Sequence, residues 1–348
     1  MAPPAQALNG NNKPVCSICI ANYNGVELLG ECLDAVFSQN VEFPFEVVVH
    51  DDASTDESVA FITANYSKVR IIKTEVNVGF CVSNNRMVSQ AQGDFILLLN
   101  NDAILYPDAL QTCWVHARQI GKQAIIGLPQ YDAITGELID QGNLFDPFLN
   151  PIPNKDSNRQ HVGMVVGACL WIPKSLWEQL NGFPEWFGSN AEDMYLCCRA
   201  HLAGYSVIAL PLSGYRHYVG QSFGGGKLKD NQLSTTYKRR SLSERNKSYV
   251  MVLIYPPFFF QIIFPLHIIS LLCEGIILAI LNRRVKIFSD IYLNALKELW
   301  RNRHLLKKGR NDIIQNTVPG ARRRFYQSIV IRLQKLAMIA NFGLPSIR

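Results

Sequence analysis

The chain has 348 residues, of which 48% are hydrophobic and 18% are charged, enough to bury one large α/β domain with material left for an appendage. This composition excludes an intrinsically disordered protein. The net charge of +6 is unevenly distributed, because residues 282–348 carry 15 Lys and Arg against three acids. A basic tail on a mildly acidic body indicates contact with an anionic surface, either lipid headgroups or nucleic acid.

The N-terminus and the cysteines bear on the cellular compartment. Residues 1–13 are rich in Ala, Pro and Asn and hold no apolar run, so we expect a disordered segment without a signal peptide. The body is then expected to fold in the cytosol, where its nine cysteines stay reduced. Cys16 and Cys19 form a C-x-x-C pair, but nothing supplies the second half of a zinc site, which favours ordinary buried side chains.

Short apolar runs alternate with helical patterns over the first two thirds of the chain, which is typical of a mostly parallel sheet covered by helices. The predicted strands are Val15–Ala21, Phe45–His50, Val69–Lys73, Phe95–Leu99 and Ala124–Leu128. The predicted helices between them are Val26–Gln39, Asp56–Tyr66, Phe80–Ala91 and Pro107–Gln119. Ligands bind beyond the carboxyl ends of the strands in such a sheet, so polar residues directly after a strand are the first site candidates.

Residues 129–160 interrupt this alternation with several Pro and Gly residues, and an irregular excursion of that length inside a compact domain is usually functional. Order is expected to resume at Val162–Ile172. Helices near Lys174–Leu180 and Glu192–Ala203 and a strand at Ser206–Leu210 follow. The glycine-rich segment Gly220–Gly226 is predicted to be mobile and to close over a phosphate.

An apolar stretch runs from Val250 to Leu281, interrupted by three prolines, His267 and Glu274. It is long enough for one membrane span and too short for two full crossings, since a span needs about 20 apolar residues. Basic residues flank both ends, as expected of the cytoplasmic side. We therefore favour a re-entrant hairpin or helices lying in the interface over a single span, with a helical hairpin buried against the body as the alternative. Pro256 and Pro257 suit the start of a helix or a kink.

Two polar clusters directly follow predicted strands. The turn-forming run Ala21-Asn22-Tyr23-Asn24-Gly25 could receive a nucleotide base on its backbone. Asp51 and Asp52 end the second strand, where a carboxylate can accept hydrogen bonds from a ribose hydroxyl or a base N–H. The neighbouring Asp56, with Ser54 or Thr55, could simply cap the next helix.

Further candidates lie later in the chain. The strand Phe95–Leu99 runs into Asn100, Asn101 and Asp102, and hard cations such as Mg²⁺ or Mn²⁺ prefer one or two carboxylates together with substrate phosphates. Glu192 and Asp193 open a helix, where acids are common for electrostatic reasons alone, but a general base could also be presented there. His217 follows the last strand and can be read as structural or as a ligand.

Taken in order, these motifs resemble those of family 2 glycosyltransferases of the GT-A fold, and among them the rhamnosyltransferase-like branch. The resemblance rests on Ile20–Asn24, Asp51–Asp56, Asn77–Phe80 with Asn84-Asn85, Leu99–Asp102, Gly167–Cys169, Gly182-Phe183, Glu192-Asp193 with Cys198-Arg199, Gly204-Tyr205 and His217. Each motif alone is a loose pattern, whereas the whole series in this order, over residues 14–226, is specific.

The resemblance implies an α/β GT-A (nucleotide-diphospho-sugar transferase) fold over residues 14–235 and a helical, membrane-associating region over residues 236–348. It implies nucleotide-sugar contacts by Ala21, Asn22, Tyr23, Asn24, Asp51, Asp52, Asn77, Gly79, Asn84, Asn100 and Asn101. It implies a catalytic base at Asp193 and acceptor or diphosphate contacts at Gly167, Glu192 and Arg199. It also implies a Mg²⁺ or Mn²⁺ site at Asp102 and His217.

The implied reaction is an inverting, in-line transfer of a sugar from a nucleotide donor to a membrane-linked glycan, at the cytoplasmic face of the cell membrane. The resemblance favours dTDP-rhamnose as the donor, with UDP- and GDP-sugars open. The acceptor is equally open, and membrane attachment favours a polyprenyl-diphosphate-linked saccharide. Tyr195 stands where relatives commonly have a further acid, so an acceptor contact there is in doubt. The Gln-x-x-Arg-Trp motif of processive synthases is missing, which favours the addition of one or a few sugars.

Three other functions were weighed against this reaction. A nucleotidyltransferase also needs a metal and carboxylates beside a nucleotide. It normally has a Gly-rich, basic phosphate loop near the first strand, and Asn22-Tyr23-Asn24-Gly25 is not such a loop. An inactive membrane-bound scaffold of the same fold would have lost its acids, whereas Asp52, Asp102 and Asp193 are all present. Nucleic-acid binding by the tail is disfavoured, because aliphatic residues recur in the tail at helical spacing.

Overall fold

The computed structural model describes residues 13–121, 123–220, 225–229 and 232–347. Most of the predicted disordered N-terminus, residues 1–12, lies outside the described residues, as do residues 221–224 of the predicted phosphate-closing segment. The chain forms two compact units. The first comprises residues 1–143, 153–200 and 205–222, and the second comprises residues 144–152, 201–204 and 223–348.

Between residues 13 and 220, the chain alternates strands with helices. The strands are β1 (Cys16–Asn22), β2 (Phe45–Asp51), β3 (Val69–Lys73), β4 (Phe95–Asn100), β5 (Ala103–Leu105), β6 (Ala124–Gly127), β7 (Gln130–Asp132), β8 (Leu138–Asp140), β9 (Asn143–Phe145), β10 (Pro151–Pro153), β11 (Cys169–Pro173), β12 (Ser206–Ala209) and β13 (Tyr215–His217). The helices are α1 (Val26–Phe37), α2 (Ser58–Asn65), α3 (Phe80–Gln90), α4 (Ala109–Ile120), α5 (Lys174–Gln179) and α6 (Glu192–Leu202), with a short 3₁₀ turn at Glu185–Phe187.

The core of the first unit is a seven-stranded sheet in the order β12-β6-β11-β4-β1-β2-β3. All neighbouring strands with a described register run parallel except β11, which is antiparallel to β4 and to β6. Both faces of the central strands are buried, which explains why β1 and β4 consist of nearly continuous apolar residues. The predicted mostly parallel α/β sheet is confirmed.

A second, four-stranded sheet in the order β5-β13-β7-β8 extends the first unit beyond β4. Its strands are only three residues long, and β13 pairs antiparallel with β5 and parallel with β7. Such short strands carry too little periodicity to be recognised in the sequence. The excursion at residues 129–160 therefore holds four short strands rather than only irregular chain.

The remaining strand and helix predictions agree with the structure to within two residues at each end. One segment differs, because only Cys169–Pro173 of the ordered stretch predicted from Val162 forms a strand. Residues before it make isolated bridges, including His161 with Ile208 and Met164 with Asn143. All nine cysteines are free and eight are buried, Cys16 and Cys19 among them, as expected for reduced thiols.

The second unit is mainly helical from residue 237 onward. Its elements are β14 (Gly225–Lys229), β15 (Gln232–Thr235), α7 (Tyr237–Ile254), α8 (Pro257–Leu281), α9 (Val285–Ile287), a π-helical turn (Phe288–Leu293), α10 (Asn294–Arg301), α11 (Arg303–Gln315), α12 (Ala321–Gln327), α13 (Gln334–Phe342) and β16 (Ser346–Ile347). The predicted functional boundary at residue 235 stays a prediction.

The apolar stretch Val250–Leu281 does not fold back on itself as a re-entrant hairpin. Its first residues complete α7, and the rest forms the single 25-residue helix α8, which begins at Pro257 and contains Pro265. Proline is tolerated at the first helical position, so Pro257 begins a helix as expected. By length and hydropathy α8 is able to cross a membrane, although one such helix is weak evidence for a span.

Candidate active site

The carboxyl ends of β1, β2 and β4 meet at one edge of the main sheet. The strand register puts Asn22 beside Asp51 and Ala21 beside Asn100, so the polar clusters predicted after three separate strands lie together. This edge is where parallel α/β sheets bind ligands. The structure therefore assembles most of the sequence-predicted nucleotide contacts in one place.

Asn22 links the ends of these strands through its side chain. Its amide nitrogen Nδ2 lies 3.1 Å from Asp51 Oδ1, and its Oδ1 accepts a hydrogen bond of 2.8 Å from Asn101 Nδ2. Gly25 lies directly against this pair, because a Cβ at this position would come within 2.1 Å of Asn101 Nδ2. Asn22, Asp51 and Asn101 thus form a buried polar chain that depends on the glycine.

The turn after β1 is fixed against the turn after β2. Asn24 has a positive φ of 49°, and its Oδ1 accepts a hydrogen bond of 2.7 Å from the Thr55 backbone N–H. Tyr23 next to it is 52% exposed, so its ring is open to solvent at the sheet edge. Asp56 accepts hydrogen bonds from the backbone N–H groups of Val26 and Ser58, at the starts of α1 and α2, which confirms a structural capping role for it.

Asp52 holds the loop that leads into α3. Its Oδ1 accepts from the Val78 backbone N–H at 2.7 Å and its Oδ2 from the Gly79 backbone N–H at 2.9 Å, with Thr74 Oγ1 at 3.4 Å from Oδ1. Gly79 has a φ of +90°, a conformation that favours glycine. Asn77 also binds this turn, because its Nδ2 donates to the Asp52 carbonyl. A structural role for Asp52, which the sequence did not suggest, is therefore present in the fold.

Two asparagines predicted to contact the nucleotide sugar differ in their surroundings. Asn84 lies on α3, is buried and donates its amide to the Phe80 carbonyl one turn earlier. Asn100 ends β4, and its buried Oδ1 has no hydrogen-bond partner among the described residues. An unpaired buried acceptor is costly, which makes the Asn100 amide a candidate for binding a ligand.

Asp102 and His217 form the pair predicted to bind a metal. His217 Nε2 lies 2.9 Å from Asp102 Oδ1, and both side chains are buried. The pairing of β13 with β5 brings them together, since His217 lies opposite Ala103 and the Tyr218 N–H donates to the Asp102 carbonyl. Within the described residues, no group of three or more His, Cys, Asp or Glu side chains is arranged to hold a metal.

Two residues that sequence reasoning missed orient His217 from behind. Gln130 Nε2 lies 3.2 Å from His217 Nδ1, and Gln130 Oε1 accepts a hydrogen bond of 2.9 Å from the Tyr215 hydroxyl. The hydrogen-bond roles of the two ring nitrogens depend on the tautomer of His217, and an ion bound at Nε2 would require the proton on Nδ1, facing the Gln130 side-chain amide. Gln130 lies in the excursion and β13 is very short, so neither residue had a strong sequence signal.

Asp193 lies at the start of α6, facing the chain segment that precedes β11. Its Oδ2 accepts a hydrogen bond of 3.0 Å from the Gly167 backbone N–H and its Oδ1 one of 2.7 Å from the Met194 N–H. The Asn100 N–H donates to the carbonyl of Ala168, which follows Gly167, so this segment joins Asp193 to the end of β4. Burial raises the pKa of Asp193.

Two other acids share this environment. Burial raises the pKa of Glu192 to about 8, with Asp193 contributing, and Glu192 Oε2 has no hydrogen-bond partner among the described residues. Burial raises the pKa of Asp140 to about 7, again with a contribution from Asp193. Asp140 is a candidate site residue that the sequence did not suggest, because it lies in the excursion at the end of β8.

Arg199 is buried one turn after Tyr195 on α6. Its Nη1 lies 3.3 Å from the Tyr195 hydroxyl and its guanidinium is 5.9 Å from the centre of that ring. Tyr195, which replaces the further acid of the predicted family pattern, therefore contacts Arg199. Two of the predicted acceptor-side residues, Glu192 and Arg199, lie on α6 together with Asp193. The third, Gly167, lies in the segment that faces the start of this helix.

Comparison with known proteins accounts for this fold. Residues 17–180 match the family described as Glycosyl transferase family 2. The chain is 26% identical over 277 residues to the uncharacterized protein y4gI of Sinorhizobium fredii, covering 74% of this chain and 28% of that protein. It is 28% identical over 189 residues to the chondroitin synthase of Escherichia coli, covering 53% of this chain and 26% of the synthase. The chain thus spans only about a quarter of the length of these relatives.

Two solved structures share the fold over nearly the whole chain. The mannosyltransferase PcManGT from Pyrobaculum calidifontis, in complex with GDP-Man and Mn²⁺, superposes with a TM-score of 0.52 at 16% identity, covering 98% of this chain and 90% of that one. TarS 1-349 of S. aureus, in complex with UDP-GlcNAc, gives a TM-score of 0.52 at 17% identity, covering 94% and 89%.

The α/β sheet flanked by helices is therefore a GT-A fold. Residues 17–180 match the sequence pattern of glycosyl transferase family 2. The predicted fold class is confirmed, and the match over residues 17–180 supports the predicted glycosyltransferase class without singling out the rhamnosyltransferase-like branch.

Proposed function

We propose that this enzyme transfers a sugar from a nucleotide-diphospho-sugar donor to an acceptor hydroxyl, with inversion at the anomeric carbon. The observation that carries the proposal is the connection between two groups of residues. Asp102, which pairs with His217, directly follows the polar end of β4. The same strand end is joined through Ala168 and Gly167 to the Asp193 carboxylate. The proposed site for the metal and the donor diphosphate is thus connected to the proposed base by a short, hydrogen-bonded segment.

The donor set at Asp102 and His217 suits Mg²⁺ or Mn²⁺. These ions are commonly bound through one or two carboxylates plus substrate phosphates rather than by a full cage of protein ligands. One carboxylate oxygen and one imidazole nitrogen 2.9 Å apart therefore fit an ion that takes its other ligands from the donor diphosphate and water. A divalent cation bound there would neutralise charge on the leaving nucleoside diphosphate.

Asp193 is suited to remove the proton of the acceptor hydroxyl. Its pKa is raised by burial, and a carboxylate with a raised pKa is a stronger base near neutral pH than an ordinary one. Backbone N–H groups of Gly167 and Met194 hold the carboxylate in one orientation. In a single in-line displacement, the acceptor oxygen forms its bond to the anomeric carbon as the bond to the nucleotide oxygen breaks.

The sheet edge would hold the nucleoside. An ionised carboxylate offers about four lone-pair sites, and three are used at Asp52, so this side chain can still accept a base N–H while it orders residues 74–79. The unpaired Asn100 Oδ1, the exposed Tyr23 ring and the backbone of residues 21–24 are further contacts at the same edge. Two structural neighbours bind GDP-Man and UDP-GlcNAc, which supports a nucleotide sugar as the donor class.

The finer assignment rests on the motif resemblance. It favours dTDP-rhamnose as the first donor to test, followed by UDP- and GDP-sugars. The proposed membrane attachment favours a polyprenyl-diphosphate-linked glycan as the acceptor. The basic, apolar C-terminal region supports work at the cytoplasmic face of the membrane, as a peripheral or monotopic enzyme.

A thermal-shift screen tests the donor and the metal together. The correct sugar nucleotide, added with Mn²⁺, should stabilise the fold by about 2.7 kcal/mol at a hundredfold excess over its Kd. The Asp102→Asn enzyme should lose the Mn²⁺-dependent part of this shift. Asp94→Asn should keep it, because Asp94 precedes β4 at the opposite edge of the sheet, where it is exposed. An Asp102→Asn enzyme with an unchanged Mn²⁺-dependent shift would contradict the proposed metal site.

A further inference from the structure

Helix α8 has two contrasting faces along its whole length. Its solvent side carries exposed apolar side chains at helical spacing, which we call the outer stripe: Phe258, Ile262, Leu266, Ile269, Ile276 and Ile280. Three of them are more than half exposed, with Phe258 at 67%, Ile269 at 58% and Ile280 at 68%. Cys273, the exposed cysteine, is also on this side. Large contiguous apolar surfaces of this kind mark an interaction site.

The opposite face of α8 carries polar side chains that are bound within the second unit. Glu274 forms ion pairs with Arg240 on α7 and with Lys335 on α13, the latter at 2.7 Å. His267 is buried, with its Nε2 2.8 Å from Ser248 Oγ, and burial lowers its pKa to about 3. The inner face is thus attached to the neighbouring helices through buried charges and hydrogen bonds rather than through apolar packing alone.

Basic side chains accompany both ends of the helix. Arg283, Arg284 and Lys286 follow α8 directly and are exposed, and Arg284 and Lys286 line a cavity of about 520 Å³ together with Tyr237 and Asp290. At the other end, the Arg310 guanidinium lies 4.5 Å from the centre of the Phe260 ring. Positive charge at each end of an apolar stripe complements a surface that presents anionic headgroups above hydrocarbon.

We propose that α8 lies in the plane of an anionic membrane surface, with the outer stripe sunk into the headgroup and acyl boundary, and that it does not cross the bilayer. A crossing would carry Glu274 into hydrocarbon about 10 Å from the end of the helix, given a rise of 1.5 Å per residue. Arg240 and Lys335 would then have to follow it or leave it unpaired, and both outcomes are unfavourable. With α8 in the plane, these ion pairs stay on the protein side.

This inference deepens the proposed membrane location and is independent of the transfer chemistry. Its experiment uses no sugar nucleotide, so its failure and a failure of the proposed reaction are distinguishable. The full-length protein is mixed with phosphatidylcholine vesicles that contain or lack phosphatidylglycerol, and binding is measured by flotation. We expect binding to the anionic vesicles only, with a loss of at least tenfold in affinity for Ile269→Glu.

The matched control is Ile134→Glu, since Ile134 is 68% exposed and belongs to the first unit. This variant should bind vesicles as the wild type does. Equal binding by Ile269→Glu and wild type would overturn the proposal. A folded wild type that ignores anionic vesicles would also overturn it, and self-association lost in Ile269→Glu would then identify a second copy of this chain as the occupant.

The depth of α8 distinguishes lying from crossing. Phe258→Cys, Ile269→Cys and Ile280→Cys, each in a Cys273→Ser background, place a fluorescent label at three points along the stripe, about three turns apart. Nitroxide lipids that quench at shallow or deep positions then report the depth of each label. All three labels should be equally shallow. A deep label at residue 269 between shallow labels at 258 and 280 would show that α8 crosses and would overturn the proposal.

Discussion

Asp102 and His217 are 115 residues apart in the chain, yet His217 Nε2 lies 2.9 Å from Asp102 Oδ1. Behind them, Gln130 connects the other nitrogen of the histidine ring to the Tyr215 hydroxyl. Partners of this kind fix the orientation of a metal-binding histidine. In other proteins their loss commonly weakens metal binding by roughly 10- to 100-fold. Gln130 and Tyr215 are therefore positioning residues for the proposed metal site.

We expect Gln130→Leu to weaken Mn²⁺ binding by about 10- to 100-fold, because the His217 ring loses its rear hydrogen bond. Binding of the metal alone is measured from the electron paramagnetic resonance signal of free Mn²⁺. Gln123→Leu is the control, since Gln123 Nε2 donates to Ser175 Oγ at the opposite edge of the sheet. An unchanged affinity in a folded Gln130→Leu protein would assign Gln130 to packing only.

Replacing Asp193 by Asn should lower kcat by at least about 100-fold and leave nucleotide binding nearly unchanged, because only the proton acceptor is removed. The remaining carbonyl oxygen can still accept from the Gly167 or the Met194 N–H, so one of the two backbone hydrogen bonds is kept. Turnover with the donor identified by thermal shift and nucleotide affinity by calorimetry separate the two effects. Loss of nucleotide binding would instead assign Asp193 to the donor site, and Asp94→Asn should match the wild type in both assays.

Gly25→Ala should weaken donor binding and destabilise the first unit. The added Cβ would come within 2.1 Å of Asn101 Nδ2 and 2.5 Å of Asn22 Oδ1, so the buried amide pair must separate. Gly30→Ala on α1 is the matched control, because its Cβ meets only the Phe61 ring at 3.4 Å. That control should be neutral or stabilising by about 0.4–1 kcal/mol, as expected for Gly to Ala in a helix. Thermal unfolding and nucleotide titration of both variants provide the measurement.

We expect Glu192 to make the stability of the fold depend on pH. Its pKa rises from 4.5 to about 8 on folding, so the folded state binds the extra proton between these values and stability falls as the pH rises through that window. Glu192→Gln removes the titration and should raise the melting temperature by several degrees at pH 8, with little change near pH 4. Melting curves from pH 4 to 9 test this.

The control for the pH series is Glu178→Gln, because Glu178 is exposed and only approaches Lys174 at 3.8 Å. It should leave the pH profile of the wild type unchanged. Parallel profiles for Glu192→Gln and wild type would mean that Glu192 is ionised in the folded protein.

The sequence predicted the elements that repeat over many residues. β3 was predicted at its observed bounds, and helices α1 to α6 to within two residues, because burial on one face imposes a 3.6-residue period on a helix and burial on both faces imposes an unbroken apolar run on a central strand. Short strands such as β5 and β13 were not predicted, because three residues are too few to show a periodic pattern of apolar residues. Gln130, Tyr215 and Asp140 were not predicted for the same reason, because their positions depend on the second sheet.

The apolar stretch Val250–Leu281 illustrates a second limit. Its composition indicated a membrane-seeking segment, but hydropathy averages over all sides of a helix and does not reveal which side is covered. The structure separates the outer stripe from the face that carries His267 and Glu274, and this separation makes lying in the interface a specific proposal.

The sequence by itself determined that Asn22, Asp51, Asp52 and Asp102 follow apolar strands, and a parallel sheet then brings strand ends to one edge whatever the loops do. Only the tertiary structure decided how these groups are used. It committed Asp52 to the turn before α3, paired Asp102 with His217 and linked Asp193 to β4 through Gly167. Such hydrogen bonds join residues far apart in the chain, so they depend on strand order and register, which local composition does not encode.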